Sequence, residues 1–186
     1  MTTGSQHTGR WILLLAALFG ALVAVALGTY ARVHTPTGRP LALFIGFTSM
    51  SPMKAWLAAA AAVLAVIQLL SALWMWGRLP GAGQAPSWLS QSHRWTGTSA
   101  FLLTLPVAYH CLWSLGFSTF DVRTTVHSFA GCAFYGAFAT KMLVLRARNV
   151  PSWALPLAGG VLFVTLIAAW ATASLWYFTQ PGVPLR

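Results

Sequence analysis

Twenty consecutive residues, WILLLAALFGALVAVALGTY at positions 11–30, contain no charged side chain. At ~1.5 Å of rise per residue, a helix of this length spans the ~30 Å hydrocarbon core of a bilayer. Four more apolar runs of similar length follow, so the sequence predicts an all-α integral membrane protein. The five predicted transmembrane helices cover residues 11–30, 54–76, 95–115, 122–145 and 153–178. We expect one membrane domain over residues 1–186, with helices two to five as a four-helix bundle core and helix one at its edge.

The composition excludes most soluble functions. The chain has 186 residues, of which 58% are hydrophobic and 6% charged, whereas soluble domains carry ~25% charged residues. Its net charge of +10 comes from basic residues scattered between apolar runs, so no nucleic-acid-binding patch is predicted. The single acid, Asp121, excludes paired-carboxylate catalysis. Two cysteines are too few for a disulfide framework or a zinc site.

The connections between the predicted helices differ in character. Residues 34–53 begin with a turn-rich segment and continue with the apolar residues 41–47, which are too few to cross a bilayer and predict an interfacial or re-entrant segment. Residues 77–94 are polar and rich in Gly, Pro and Ser, which predicts an exposed loop. Residues 116–120 predict a tight turn, with Gly116 ending helix three and Asp121 capping helix four.

Orientation follows from the basic residues that flank the spans. Six lie on the amino-terminal side and five on the other, which favours a cytoplasmic amino terminus in a multi-pass plasma-membrane protein. The apolar start resembles a signal peptide, but its length fits the first span. Tryptophans near the predicted helix ends are typical of an interfacial aromatic belt.

Two histidines inside predicted spans are the main functional signal, because an ionisable group within the bilayer is a functional hypothesis by default. His110 lies six residues before Gly116, and His127 lies six residues after Asp121. Both therefore lie ~9 Å inside the same membrane face. We expect them to be the axial metal ligands of one haem b. His34, just past helix one on that face, is an alternative partner.

Neighbouring residues fit this haem hypothesis. Gly131, one turn beyond His127, would let a flat macrocycle approach the helix. Arg123, one turn before His127, is placed to pair with haem propionates. Pro106, one turn before His110, is expected to kink helix three. Two apolar side chains would wall the site, Trp113 and Phe134.

Two alternatives stay open. Packed helices stand ~8–10 Å apart, so helices three and four would have to splay, or face each other across a bundle, to hold a haem. In the cofactor-free alternative, His110 and His127 hydrogen-bond to neighbouring helices and bind nothing. On the opposite face, His93 and Met142 could hold a second haem, or His93 is an exposed interfacial residue.

Helix one carries a small residue at every fourth position, at Ala16, Gly20, Ala24 and Gly28. Such a face packs closely against another helix, either within this chain or in a homo-oligomer or larger complex. Packing within the chain is the simpler interpretation.

The run His93-Arg94-Trp95-Thr96-Gly97, followed by a helix ending in Tyr109-His110, resembles membrane b-type cytochromes and ferric-reductase-like domains. The stretches around His127-Ser128-Phe129 and Lys141-Met142-Leu143 also resemble an uncharacterised family of small actinobacterial membrane proteins. The cytochrome resemblance implies a helical bundle, haem b and electron transfer, with His110 and His127, and also His93, as ligands. The chain departs from the diheme pattern, because His93 and His110 are 17 residues apart and thus ~100° apart around a helix.

These observations predict a haem b electron-transfer subunit of an oxidoreductase, not a stand-alone enzyme. It would move electrons between a quinone or another redox partner and a further redox protein, with the lipid bilayer as its surroundings. The alternative is a cofactor-free structural or assembly subunit of a respiratory complex. A transporter is less favoured, because intramembrane polar groups are few and no pair of broken helices is evident.

Overall fold

The computed structural model describes residues 3–39 and 44–184, with side chains from residue 9 onward. In this part of the chain every regular element is helical. The elements are α1 (Thr3–Val33), α2 (Met50–Met75), α3 (Leu89–His110), α4 (Val122–Arg146), α5 (Ala154–Trp170) and the short α6 (Trp176–Thr179). Two π-helical segments continue the chain, π1 (Cys111–Leu115) after α3 and π2 (Ala171–Leu175) between α5 and α6.

Five helical stretches are long and apolar enough to cross a bilayer, as predicted. Their bounds are Gly9–Val33, Met50–Met75, Leu89–Leu115, Val122–Arg146 and Ala154–Thr179. Large apolar side chains on α1, including Leu14, Leu18 and Leu22, are more than half exposed. An apolar outer surface of this kind fits contact with lipid, and the chain is consistent with a multi-pass membrane protein.

One predicted connection needs correction, and one stays a prediction. The loop predicted over residues 77–94 ends earlier, because α3 begins at Leu89. The first turns of α3 are polar, so hydropathy did not predict them as part of the helix. The burial of Leu89 and contacts with α2 stabilise these turns. Of the apolar segment predicted at residues 41–47, Leu41, Ala42 and Leu43 lie outside the described residues. Residues 44–47 form a turn, in which the Phe47 N–H donates to the Phe44 carbonyl.

The turn at residues 116–120 is confirmed. Gly116 has φ +73°, a left-handed conformation that glycine adopts without steric cost. The Ser128 hydroxyl accepts from the Ser118 N–H at 3.2 Å and donates to the Ser118 carbonyl at 2.9 Å. Asp121 caps α4 as expected, by accepting from the Thr124 N–H at 2.6 Å.

The described chain packs as two units. In the first, Met1–Pro36 with Gly116–Ala169, α1 packs against α4 through the small-residue face. A Cβ atom on Gly20 would collide with the Gly136 carbonyl, and one on Gly136 would lie 3.0 Å from the Ala24 Cβ. The Thr140 hydroxyl donates to the Ala16 carbonyl at 3.2 Å. Packing of this face within the chain is therefore confirmed.

In the second unit, Thr37–Leu115 with Trp170–Arg186, α2 packs against α3 and π2. The Gln68 amide donates to the His93 carbonyl at 2.5 Å and to the Thr96 hydroxyl at 2.6 Å. Gly97 leaves room for this amide, because a Cβ there would lie 2.8 Å from Gln68 Oε1. These contacts join α2 to the early turns of α3. The single domain expected over residues 1–186 stays a prediction.

Candidate functional site

His110 is the last residue of α3 and is completely buried in the second unit. Its Nδ1 lies 2.8 Å from the Pro106 carbonyl oxygen. A carbonyl oxygen can only accept, so Nδ1 carries the proton, and in the neutral ring Nε2 carries the lone pair. Nε2 is also buried and has no hydrogen-bond partner among the described residues. The neutral ring therefore has a buried lone pair with no described partner.

The π1 segment places a second unsatisfied polar group on the next turn. Ser114 is 1% exposed, and its hydroxyl has no partner within the described chain. A buried polar group left unpaired costs ~1–3 kcal/mol. Short π-helical turns within α-helices occur frequently at functional sites. Two such groups, His110 Nε2 and Ser114 Oγ, mark this end of α3 as a candidate site.

The π2 segment adds one further unsatisfied group in the same unit. Trp170 immediately precedes π2, and its indole N–H is buried without a partner in the described chain. Ser174, four residues later, is 2% exposed. Sequence reasoning singled out neither Trp170 nor Ser114. The sequence does contain one signal for them, because His110 and Trp170 are each followed by a serine four residues later, Ser114 and Ser174.

His127 lies on α4 in the first unit and is half-buried. Its Nδ1 lies 3.0 Å from the Ala169 carbonyl oxygen, so the same argument places the proton on Nδ1. A Cβ atom on Gly131 would meet nothing within 4 Å, which means that the space beside this turn of α4 is open. Of the two predicted apolar walls, Phe134 is buried whereas Trp113 is 38% exposed.

Arg123 is engaged with the N-cap of α4. One Arg123 guanidinium nitrogen lies 3.9 Å from an Asp121 carboxylate oxygen. Hydrogen bonds from the Thr124 hydroxyl and N–H hold the pKa of the Asp121 carboxyl below its ordinary value of 3.8, and the Arg123 charge adds a smaller contribution. One partner of Arg123 is thus a carboxylate, the same chemical group as a haem propionate.

The other predicted ligands have structural contacts. His34, in the first unit, stacks on Tyr30 with ring centroids 5.2 Å apart and planes 9° from parallel. His93, in the second unit, is half-buried, so it is not the exposed residue of the interfacial alternative. Its Nδ1 lies 2.7 Å from the Ser71 hydroxyl. This contact belongs to the Gln68 network between α2 and α3. Ligation of a second haem by His93 and Met142 stays a prediction.

The predicted site residues divide between the two units. His110 and His93 belong to the second unit, and the first unit contains the remainder, His34, Arg123, His127 and Gly131. Among the described side chains of residues 9–39 and 44–184, no three or more His, Cys, Asp or Glu are grouped as a metal site.

A model of a family of unknown function, DUF6529, matches residues 13–185, which is nearly the whole chain. No curated protein and no solved structure matches the chain.

Proposed function

We propose that this chain, which belongs to the DUF6529 family, is a membrane electron-transfer subunit that binds haem b through His110 and His127. The observation that carries the proposal is His110 itself. Its Nε2 is buried without a described partner, and its Nδ1–H is fixed on the Pro106 carbonyl. Haem-ligating histidines need this arrangement, because a hydrogen bond from one ring nitrogen orients the ring and leaves the other to the iron.

His127 supports the proposal as the second ligand. Its Nδ1–H also donates to a backbone carbonyl, that of Ala169. The sequence places His127 and His110 at the same distance from the 116–120 turn, ~9 Å inside one membrane face. Two imidazole ligands leave an iron no open position for oxygen, which favours electron transfer over oxygen chemistry. Haem b, when bound, would supply a one-electron redox centre within the bilayer.

Other residues near His127 are assigned supporting roles. Gly131 leaves open space one turn along α4, where a macrocycle could approach the helix. Arg123 would pair with a propionate, in competition with Asp121. The electron partners we propose are a quinone or donor protein on one side and another redox subunit on the other. The plasma membrane is the proposed location, with the amino terminus in the cytoplasm.

Absorption spectra of the purified full-length protein test the proposal. We expect a Soret band, with the spectrum of a low-spin haem in both the oxidised and the reduced states. His110→Ala and His127→Ala should each abolish this spectrum or convert it to high spin. Haem content should be measured by extraction, so that loss of the cofactor is distinguished from a change of ligation.

His7→Ala is the matched control, because His7 lies before the first span, and it should leave the spectrum unchanged. His93→Ala separates the two haem hypotheses, since it should leave the His110–His127 haem intact. A full wild-type spectrum in both His110→Ala and His127→Ala would refute the ligand assignment. Absence of any Soret band in the folded protein would leave the cofactor-free subunit as the function.

A further inference from the structure

An apolar groove runs along the first unit between α1, α4 and the start of α5. It has a volume of about 870 Å³, within the usual ~300–1,000 Å³ range of ligand pockets. Small side chains leave it open, including Ala17 and Ala21 on α1, Ala133 and Ala137 on α4, and Ala158 on α5. Every one of these helices is also a membrane span, so the groove faces a hydrocarbon environment.

The groove has the length of a lipid chain. Its lining on α1 extends from Arg10 to Ala24, which is ~21 Å at ~1.5 Å per residue. One leaflet contributes about half of the ~30 Å hydrocarbon core, so an acyl chain that enters at the Arg10 end fits along its length. Trp11 and Trp153 line the same end and are 65% and 59% exposed, as interfacial tryptophans are.

Basic side chains lie at this end of the first unit. Arg10 is an exposed lining residue. The α1 backbone at Gly9 approaches the Asn149 carbonyl so closely that a Cβ would collide with it. This contact brings the start of α1 to the end of α4, where Arg146 and Arg148 are both exposed. The three arginines therefore gather at one end of the first unit.

No acidic side chain neutralises this cluster. The only one in the sequence is Asp121, which caps the opposite end of α4. It is 25 residues from Arg146 along the chain, or ~37 Å along the helix. A cluster of uncompensated arginines beside a chain-length apolar groove is the combination that recognises an anionic lipid headgroup together with its acyl chain.

We infer that the groove between α1, α4 and α5 is a binding site for an anionic phospholipid. The acyl chain lies in the groove, and Arg10, Arg146 and Arg148 hold the headgroup phosphate. This inference goes beyond the proposed function and is independent of haem.

Native mass spectrometry of the full-length protein in detergent, titrated with phosphatidylglycerol or phosphatidylcholine of the same acyl composition, tests the inference. Phosphatidylglycerol should bind more tightly. Arg10→Gln should weaken its binding about fivefold, the change that corresponds to ~1 kcal/mol for one basic residue at an anionic membrane surface. The triple variant Arg10→Gln, Arg146→Gln, Arg148→Gln should weaken it ~100-fold and weaken phosphatidylcholine binding much less, because the choline charge already offsets the phosphate of that lipid.

Arg32→Gln is the matched control, because Arg32 is an exposed arginine at the other end of α1, and it should have no effect. Ala158→Leu and Ala137→Leu, which fill the groove without touching the arginines, should weaken binding of both lipids. Equal affinity for the two lipids would overturn the inference. So would leucine variants that bind phosphatidylglycerol as the wild type does, or tighter binding of a neutral isoprenoid quinone than of phosphatidylglycerol.

Discussion

Ser71 and Ser114 are both buried in the second unit, but only one hydroxyl is hydrogen-bonded. The Ser71 hydroxyl lies 3.1 Å from the Gln68 carbonyl and 2.7 Å from His93 Nδ1. The Ser114 hydroxyl has no partner in the described chain. The cost of removing a buried hydroxyl depends on whether its removal leaves another group unpaired.

We therefore predict opposite outcomes for the same substitution. Ser71→Ala should destabilise the protein by ~1 kcal/mol, because it leaves His93 Nδ1 without this bond. Ser114→Ala should be neutral or slightly stabilising, since it removes an unsatisfied group. Thermal unfolding of both variants in one detergent measures the difference. A loss for Ser114→Ala as large as that for Ser71→Ala would mean that the Ser114 hydroxyl has a partner, such as water.

The haem proposal and a purely structural role predict different effects of replacing Arg123. If Arg123 pairs with a propionate, Arg123→Leu should lower the haem reduction potential by ~40 mV, which is ~1 kcal/mol for a one-electron couple. The sign follows because the positive charge favours the reduced haem. Arg32→Leu, near the same predicted membrane face, is the control for surface charge. Unchanged potential and unchanged haem occupancy would leave Arg123 as an interfacial partner of Asp121 alone.

At the scale of the elements, glycines on different helices have different surroundings. Gly20 faces the Gly136 backbone, and a Cβ there would collide with it, whereas a Cβ on Gly159 of α5 would meet nothing within 4 Å. Close backbone approach between α1 and α4 thus depends on Gly20 and Gly136. The α5 helix has no such requirement at Gly159.

The same Gly→Ala change should accordingly have opposite signs at these two positions. Gly20→Ala should destabilise the protein by ~1–3 kcal/mol, because the α1–α4 pair must separate to admit the methyl group. Gly159→Ala should be neutral or stabilise α5 by up to ~1 kcal/mol, since alanine has the higher helix propensity. Thermal unfolding monitored by circular dichroism compares them. Equal effects would refute the close α1–α4 contact.

At the scale of the whole molecule, five helices long and apolar enough to cross a membrane predict the topology. If all five cross, the odd number of crossings places the chain before Gly9 and the chain after Thr179 on opposite sides of the membrane. Reporter fusions at the two termini should give opposite signals, and fusions in the 77–88 and 147–153 connections should both report the amino-terminal side. Termini on the same side would mean that one of the five helices does not cross.

The sequence by itself determined the number and approximate bounds of the spans and the turn at residues 116–120. These depend on local properties, namely hydropathy over ~20 residues, the left-handed backbone of Gly116 and the Asp121 cap. The prediction that His110 and His127 lie at matched depths depends on the same turn. The early start of α3 was missed because its polar first turns are stabilised by Gln68, 25 residues before His93.

Only the tertiary structure decided which carbonyl accepts the His127 Nδ1–H, which glycine faces Gly20, and that Trp170 and Ser114 are buried without described partners. Each of these depends on what a neighbouring helix or turn places opposite the residue. Hydropathy and spacing describe one helix at a time, and in an apolar bilayer they do not distinguish a face that contacts lipid from one that contacts another helix.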